Sequence, residues 1–532
     1  MTKHRQIATL DCETDPFKRG RIPQPFIWGF YDGDQFIHSE SLDEIIEQIA
    51  PRKIIVYAHN GGKFDFHYMF SKLEAYSDIT IINGRISKFT IGNAEFRDSF
   101  NIIPTALRAF KKDDFDYSLL ESAVRHKKDN WHKIVKYLKS DCINLHQYVS
   151  EFISRYGINL TVAGTAMKQW QKISGRKPPQ SDQVYYNMMR KFYYGGRVQC
   201  FKRGVVDSRF NVFDINSAYP YAMLSKHAIG LNYTLLQGDV APFEHYGACF
   251  FRVLGVARGC FPFRNEKGAL TFPDDGIERT YFVTGWELIA ARETNTFDGC
   301  VIETHKFTEL IEFTDYIKHF YSERLAAKLS GDKAGDIFNK LLMNGLYGKF
   351  GSDPSDYSKY SVVPIDEIGT IRASGYNLSG ELGEWLLAGK SLDESEMRFY
   401  NVATSASITG YVRAYLFKAL ISCGLENVLY CDTDSIATTN GENLILGEDL
   451  GQWKNEGEFD KAGICGKKLY IFRGVLTNGK REYKVASKGA RLSNDQIWKI
   501  ANGGIVLYEP ESPSYSVHNG IKFVNRQMKQ TF

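Results

Sequence analysis

The run Tyr430-Cys431-Asp432-Thr433-Asp434-Ser435 sets two carboxylates two residues apart, with the apolar Val428 and Leu429 before them and Ile436 after. A fold that keeps this run must either wet the acids or neutralise them. In an extended strand, period-two geometry would put both on one face, but a Thr between two acids and a hydroxyl after them suit a tight hairpin turn better. Such a turn aims both carboxylates outward. Clustered carboxylates raise each other's pKa unless a cation lies between them, so the pair marks a hard-metal site or a solvated turn. On its own the run leaves both open.

Two further segments shift that balance. Residues 210–213 read as a strand that runs into Asp214 and then a turn, Asn216-Ser217-Ala218-Tyr219-Pro220, a layout that presents a carboxylate at a sheet edge and leaves backbone amides free for phosphate oxygens. Residues 340–348 read as a helix ending at Gly348, with Lys340, Asn344 and Tyr347 aligned along one face. An ammonium, an amide and a ring match the parts of a nucleotide. Lys328, upstream, offers a second cation for a triphosphate, and a surface Lys is its plain alternative. Two divalent ions about 3.5–4 Å apart can clamp both oxygens of an in-line phosphoryl displacement, a task that needs few, well-placed acids.

The N-terminal third holds a second constellation. Asp11 and Glu13 share one face of a strand-like run beginning at Ile7. Residues 54–60 form a buried-strand pattern that passes through His59 and Asn60 into Gly61-Gly62-Lys63-Phe64-Asp65, so another acid follows a strand end. Helical periodicity over 131–149, through Ile134, Leu138 and Leu145, puts Tyr137 and Asp141 on one face. Four carboxylates and a phenol suit two metal ions and an oriented water, the equipment of phosphodiester hydrolysis.

Between the two lies 190–203, with five basic residues, four aromatics and no acid. Cations pair with phosphates, rings stack on unpaired bases, and the Gly195-Gly196 pair permits close backbone approach; an edge strand guarded by Lys and Arg is the alternative. The whole chain has a formal charge of only +4, so nucleic acid must be held by local grooves of this kind rather than by bulk basicity. Nine cysteines without a Cys-x-x-Cys pair argue against structural zinc and for a reducing compartment. No apolar stretch approaches 18 residues and the first five are polar, so neither a membrane span nor a signal peptide is expected. The expectation is a soluble monomer in a host cytoplasm.

By the order of these motifs the chain resembles the protein-primed branch of the family B DNA polymerases. Residues 214–220 resemble motif A, 340–348 motif B and 430–435 motif C. Lys468-Leu469-Tyr470 is similar to the Lys-x-Tyr motif that holds the primer end, and Thr409 with Arg413 to a Thr-x-x-Ala-Arg motif. Tyr193, Gly195 and Gly196 match a Tyr-x-Gly-Gly motif associated with single-stranded template. The N-terminal segments resemble the three motifs of DnaQ-like 3′–5′ exonucleases, with Asn60 and Phe64 as DNA-binding positions. Lys112 resembles that family's exonuclease lysine, and Ser99 precedes Phe100 where a Leu is preferred. Gly345, Val412 and Ala218 replace a more usual Ser, Ala and Leu.

The resemblance implies an α/β multidomain fold: a ribonuclease H-like 3′–5′ exonuclease domain, then a right-hand polymerase of palm, fingers and thumb with two inserted subdomains. The Ser174-to-Asp182 stretch is the clearest linker. The expected parts are an exonuclease over 1–182, palm over 183–225 and 399–489, fingers over 316–354 and thumb over 490–532. Insertions resembling terminal protein regions 1 and 2 fall at 226–315 and 355–398. By resemblance Asp214 and Asp434, with Asp432 in support, hold two Mg²⁺ (Mn²⁺ as substitute), and Asp11, Glu13, Asp65 and Asp141 hold two more. Tyr219 then packs beneath the sugar, with a core Tyr as the plain alternative. Expected partners are template and primer DNA, deoxynucleoside triphosphates and a terminal protein primer. Two rivals remain: a related polymerase that starts without a terminal protein, and an inactive nucleic-acid-binding replication factor.

Overall fold

The computed structural model describes residues 5–109, 113–239, 246–353, 358–382, 385–391, 400–475 and 481–531. Among them no helix is long and apolar enough to cross a membrane. Lys112 lies outside the described residues.

The N-terminal sheet begins with three antiparallel strands, Gln6–Thr14, Pro25–Tyr31 and Phe36–Ser39. Ile54–Ala58 joins the first of them in parallel, and Ala94–Asp98 pairs in parallel with Ile54–Ala58. This is the ribonuclease H-like order. Every residue of Ile54–Ala58 is buried, as expected of a parallel strand covered on both faces. The helix Lys128–Tyr156 buries Ile134, Leu138, Leu145 and Val149 over the first strands, and the Thr9 hydroxyl donates to the Cys142 carbonyl at 2.8 Å. That bond fixes how far Tyr137 and Asp141 slide along the strand carrying Asp11 and Glu13.

The same sheet continues through Arg85–Ile91 and Asp78–Ile82 and then takes in the second insertion, whose strands Ser358–Pro364, Trp385–Ser391 and Asn377–Leu382 complete ten strands. The insertion therefore covers what would otherwise be an open edge. Val362, Leu382 and Leu387 enter the N-terminal core beside Ile79 and Ile81, and the Trp385 indole donates to the Phe70 carbonyl at 3.0 Å.

The palm is an eight-stranded antiparallel sheet. At its centre Phe210–Ile215 lies between Ser435–Thr438 and Trp453–Gly466. The helices Val402–Cys423 and Ala218–Ala222 pack beneath it. The fingers are the antiparallel pair Thr314–Ser330 and Lys333–Phe350, so the motif helix is longer at both ends than the expected 340–348. Gly348 does not stop it, because Leu346 and Phe350 are buried in the palm core on either side. The first insertion is a four-stranded sheet, Tyr233–Gln237, Phe297–Phe307, Cys249–Ala257 and Arg279–Thr284, backed by the helix Gly285–Glu293.

Packing redraws two expected boundaries. The helix Val162–Ser174 buries Ala166, Met167 and Trp170 with Phe213, Leu342 and Leu346, so it belongs to the polymerase core although the linker follows it. The C-terminal segment also divides. The helix Asn494–Ala501 packs Ile497 and Ile500 on Cys465 and Ile471, whereas Val517 reaches the N-terminal core. Leu387→Ala is expected to cost about 2–5 kcal/mol in denaturant unfolding and to speed amide exchange in Asp78–Ile82. Unchanged exchange in that strand would mean the second insertion folds on its own.

Two candidate active sites

The hairpin expectation at residue 432 holds. Val428–Asp432 and Ser435–Thr438 pair through a turn whose Thr433 adopts φ +61°, a conformation β-branched residues rarely take. The Thr433 N–H donates to the Arg197 carbonyl at 2.6 Å, which holds the turn in place. A Cβ on Gly196 would meet Thr433 at 2.7 Å, so that position needs Gly for close approach, while Gly195 faces open space. In the central pairing Asp214 stands opposite Ser435, and the Ile215 N–H donates to the Asp434 carbonyl at 2.8 Å. Acids more than two hundred residues apart thus meet at one sheet edge.

Their charges are unequally answered. The Lys468 ammonium bonds Asp432 at 2.8 Å, and Lys484 pairs with Glu456 on the neighbouring strand. Among the described residues Asp214 has no such partner: burial, then Asp434 and Glu456, push it up to about 7, against which Lys484 and Lys340 pull. Burial, then Asp432, pushes Asp434 up to about 6. Two partly buried acids that resist ionisation, offering hard oxygen donors, fit a divalent cation such as Mg²⁺. Glu456 was not legible in the sequence, since nothing separates it from the other charges of its strand.

Around this centre Tyr219 and Tyr347 stack with centroids 4.1 Å apart and planes at 9°. Burial raises Tyr219 to about 12. Lys340 and Lys328 are exposed. Asn344 is not presented as the shared helix face suggested: its amide donates back to the Lys340 carbonyl at 2.9 Å. Gly345 faces Ala163 and Ala166 at 3.6 Å, and Val412 and Ala218 are core, so the three departures from motif alter packing rather than the centre.

Several expected DNA-binding residues point inward. Thr409 is buried and bonds the Ala406 carbonyl. Arg413, 2% exposed, donates to Glu287 at 2.7 Å and to the Tyr194 and Gly195 carbonyls at 2.6 and 3.1 Å. It shapes the Tyr-x-Gly-Gly segment from behind and cannot itself reach a phosphate. Arg197, counted among the groove cations, is likewise buried: it donates to the Gly259 carbonyl and lies over Phe272. Tyr470 is buried against Phe472, 4.4 Å away. Tyr193 stays half-buried beneath the Arg190 guanidinium, 4.7 Å from its ring.

In the N-terminal site, carboxylate oxygens of Asp11, Glu13 and Asp141 lie within 4.8 Å of one another, the only such metal-ready group among the described residues. Asp65 is outside it. It lines the same cavity as Asp11 and Glu13, but its carboxylate accepts from the Cys12 thiol at 3.2 Å, and burial pushes it up to about 6. The expected four-acid cage therefore gathers three acids within that distance, with Asp65 in the same cavity but outside the group; Glu13 and Asp141 are buried and Asp11 half-buried, while Cys12, on the other face of the strand, meets Asp65. Tyr137 meets the Tyr117 hydroxyl at 3.0 Å and stacks on Phe115; burial, then Tyr117, raises its pKa. Asn60, at φ +62°, accepts from Arg85, which also pairs with Asp98 at 2.7 Å. Phe64 lies edge-on to Tyr515 at 5.1 Å. Ser99 is buried under His59, 3.0 Å from its Nδ1. Tyr117, Arg85 and Tyr515 carried no signal in the sequence, since only tertiary packing brings them here.

Without divalent metal, the raised Asp214 and Asp434 make stability pH-dependent. With folded values of about 7 and 6 against an ordinary 3.8, their contribution is full below about 4 and lost as pH rises through 6 and 7. Melting temperature in EDTA is expected to climb as pH falls from 8 to 6. Mg²⁺ should flatten that slope, as should Asp214→Asn. Equal slopes in the wild type and this variant would contradict the electrostatic account.

The family model for DNA polymerase type B, organellar and viral, matches residues 45–121 and 110–381. The chain is 35% identical to the DNA-directed DNA polymerase of Enterobacteria phage PRD1, over 99% of this chain and 98% of that one. It is 24% identical to a probable DNA polymerase of Neurospora intermedia, over 87% of this chain and 59% of that protein. Phi29 DNA polymerase, complexed with primer-template DNA and incoming nucleotide substrates, has the same fold with a TM-score of 0.74, at 19% identity over 99% of this chain and 100% of that one. The chain therefore belongs to the organellar and viral type B DNA polymerases.

Proposed function

We infer that this DNA polymerase extends primers at the Asp214–Asp434 centre, trims 3′ ends at the Asp11–Glu13–Asp141 centre, and starts synthesis on a hydroxyl of a terminal protein. The observation that carries the polymerisation reading is the uneven neutralisation of the palm acids: Asp432 and Glu456 have ammonium partners, and Asp214 and Asp434 are left to take up added positive charge. Two Mg²⁺, or Mn²⁺ in their place, would be held by Asp214 and Asp434 and would supply Lewis acidity at the α-phosphate of a bound deoxynucleotide.

The remaining work falls to side chains. Lys340 and Lys328 meet the charge that collects on the departing pyrophosphate, a task suited to ammonium point charges. The Tyr219–Tyr347 stack forms a flat floor for the sugar and leaves no room for a 2′-hydroxyl. Tyr193 stacks on an unpaired template base, Gly195 and Gly196 let the strand pass close to the backbone, and Lys468 steadies the primer end through its tie to Asp432. At the second centre Asp11, Glu13 and Asp141 hold the metal ions with Asp65 beside them, Tyr137 orients the attacking water, and Asn60 and Phe64 hold the frayed end. Protein priming is supported by the chain's resemblance to the protein-primed branch, whose terminal protein regions its two insertions resemble.

Asp434→Asn is expected to lower primer extension at least about 10³-fold while the chain still folds and still trims; equal loss of both activities would argue against separate sites. Asp11→Ala combined with Asp65→Ala should abolish trimming of a labelled oligonucleotide and spare extension. Persistent trimming would mean other acids do the work. Incubation with Mg²⁺, labelled deoxynucleotide and a candidate priming protein should give nucleotide covalently attached to that protein. Free product made without it would favour a polymerase that needs no terminal protein.

A further inference from the structure

We propose that Arg491 binds a backbone phosphate of the strand entering the trimming centre, so that a residue from beyond the palm completes the exonuclease substrate site. The inference rests on the exonuclease reading above and adds a binding residue to it.

Two cavities open on the N-terminal acids, one of about 1320 Å³ reaching Asp141 and one of about 760 Å³ reaching Glu13 and Asp65. Asp11, His59, Asn60, Tyr117 and Arg491 line both, so the cavities meet there, and Arg491 is the single Lys or Arg of the five. A strand threading this junction brings a phosphate per nucleotide into a field made by Asp11, Glu13, Asp65 and Asp141. Metal ions answer that charge only at the bond being cut. The neighbouring phosphates need a fixed cation, and a guanidinium forks onto phosphate oxygens with two parallel hydrogen bonds.

The residue is mounted for this. Ala490 and Leu492 on either side are buried with Ile471 and Ile497, and the Ser487 hydroxyl donates to the Ala490 carbonyl at 2.7 Å. Arg491 itself is exposed, and among the described residues its guanidinium makes no hydrogen bond or ion pair. A pinned backbone with an unengaged cation at the junction of two cavities has no structural task in the fold. Its placement is secured by the chain that follows: the Tyr515 hydroxyl meets that of Tyr68 at 2.8 Å, Val517 is buried in the exonuclease core, and Glu509 pairs with Arg19.

The test uses the full chain, Mg²⁺ and a labelled single-stranded oligodeoxynucleotide. Arg491→Ala is expected to raise KM for trimming about tenfold with kcat nearly kept, the loss of one partly solvated charged hydrogen bond. Arg491→Lys should recover most of it. The slope of log affinity against log salt should fall by about 0.7 in the Ala variant, one phosphate contact on a single strand. Primer extension on a paired template should be unaffected by either change, which also certifies folding. An unchanged KM in Arg491→Ala, with the wild type trimming normally, overturns the proposal. So does a fall in kcat that Lys does not rescue. A wild-type chain that does not trim would instead bring down the exonuclease reading, and this inference with it.

Discussion

Everything at the polymerase centre depends on one strand pairing, Phe210–Ile215 against Ser435–Thr438, with Asp214 opposite Ser435. A slip of one residue would turn Asp214 to the other face of the sheet and break the convergence of the acids. The register is held from both sides. Phe213, Ile215 and Ile436 are buried in the palm core below, and Val212 and Ala437 pack into a second cluster on the opposite face. Apolar burial on alternate residues therefore fixes where the charges stand.

Two buried guanidinium groups extend that control into the first insertion. Arg197 offers its carbonyl to Thr433 in the acidic turn while its side chain bonds the Gly259 carbonyl. Arg413 joins Glu287 of the insertion's helix to the carbonyls of Tyr194 and Gly195. A buried pair of this kind contributes little net stability, but removing one partner strands the other charge and costs about 3–5 kcal/mol. The Tyr194–Gly196 segment and the acidic turn are thereby keyed to an insertion whose sheet lies outside the palm.

What could be read from the sequence was local. The acidic hairpin, the strand before Asp214, the buried strand before Asp65 and the helix carrying Tyr137 and Asp141 each declare themselves through turn chemistry or periodicity within about twenty residues. The direction of a long side chain does not. Arg197 and Arg413 sit in basic or motif-like runs that look like nucleic-acid surface, and only the aromatic and acidic partners brought by distant segments turn them inward. Asp65 fell short for a similar reason, since Cys12 belongs to another strand. Glu456 and Arg491 gave no local pattern at all, because their meaning comes from which cavity or carboxylate the fold sets beside them.

The ten-stranded sheet has a consequence for how the chain can be divided. Its outer three strands come from residues more than two hundred and fifty positions after the strand they adjoin. Cut away from the rest, the N-terminal third would expose the ladder of Asp78–Ile82 along with Ile79 and Ile81, a sticky margin ready to recruit a copy of itself. The N-terminal third is therefore not a module that can be lifted out. It reaches its final form only after the ribosome has delivered the second insertion, so the arrival of those late strands is the step that silences an aggregation-prone border.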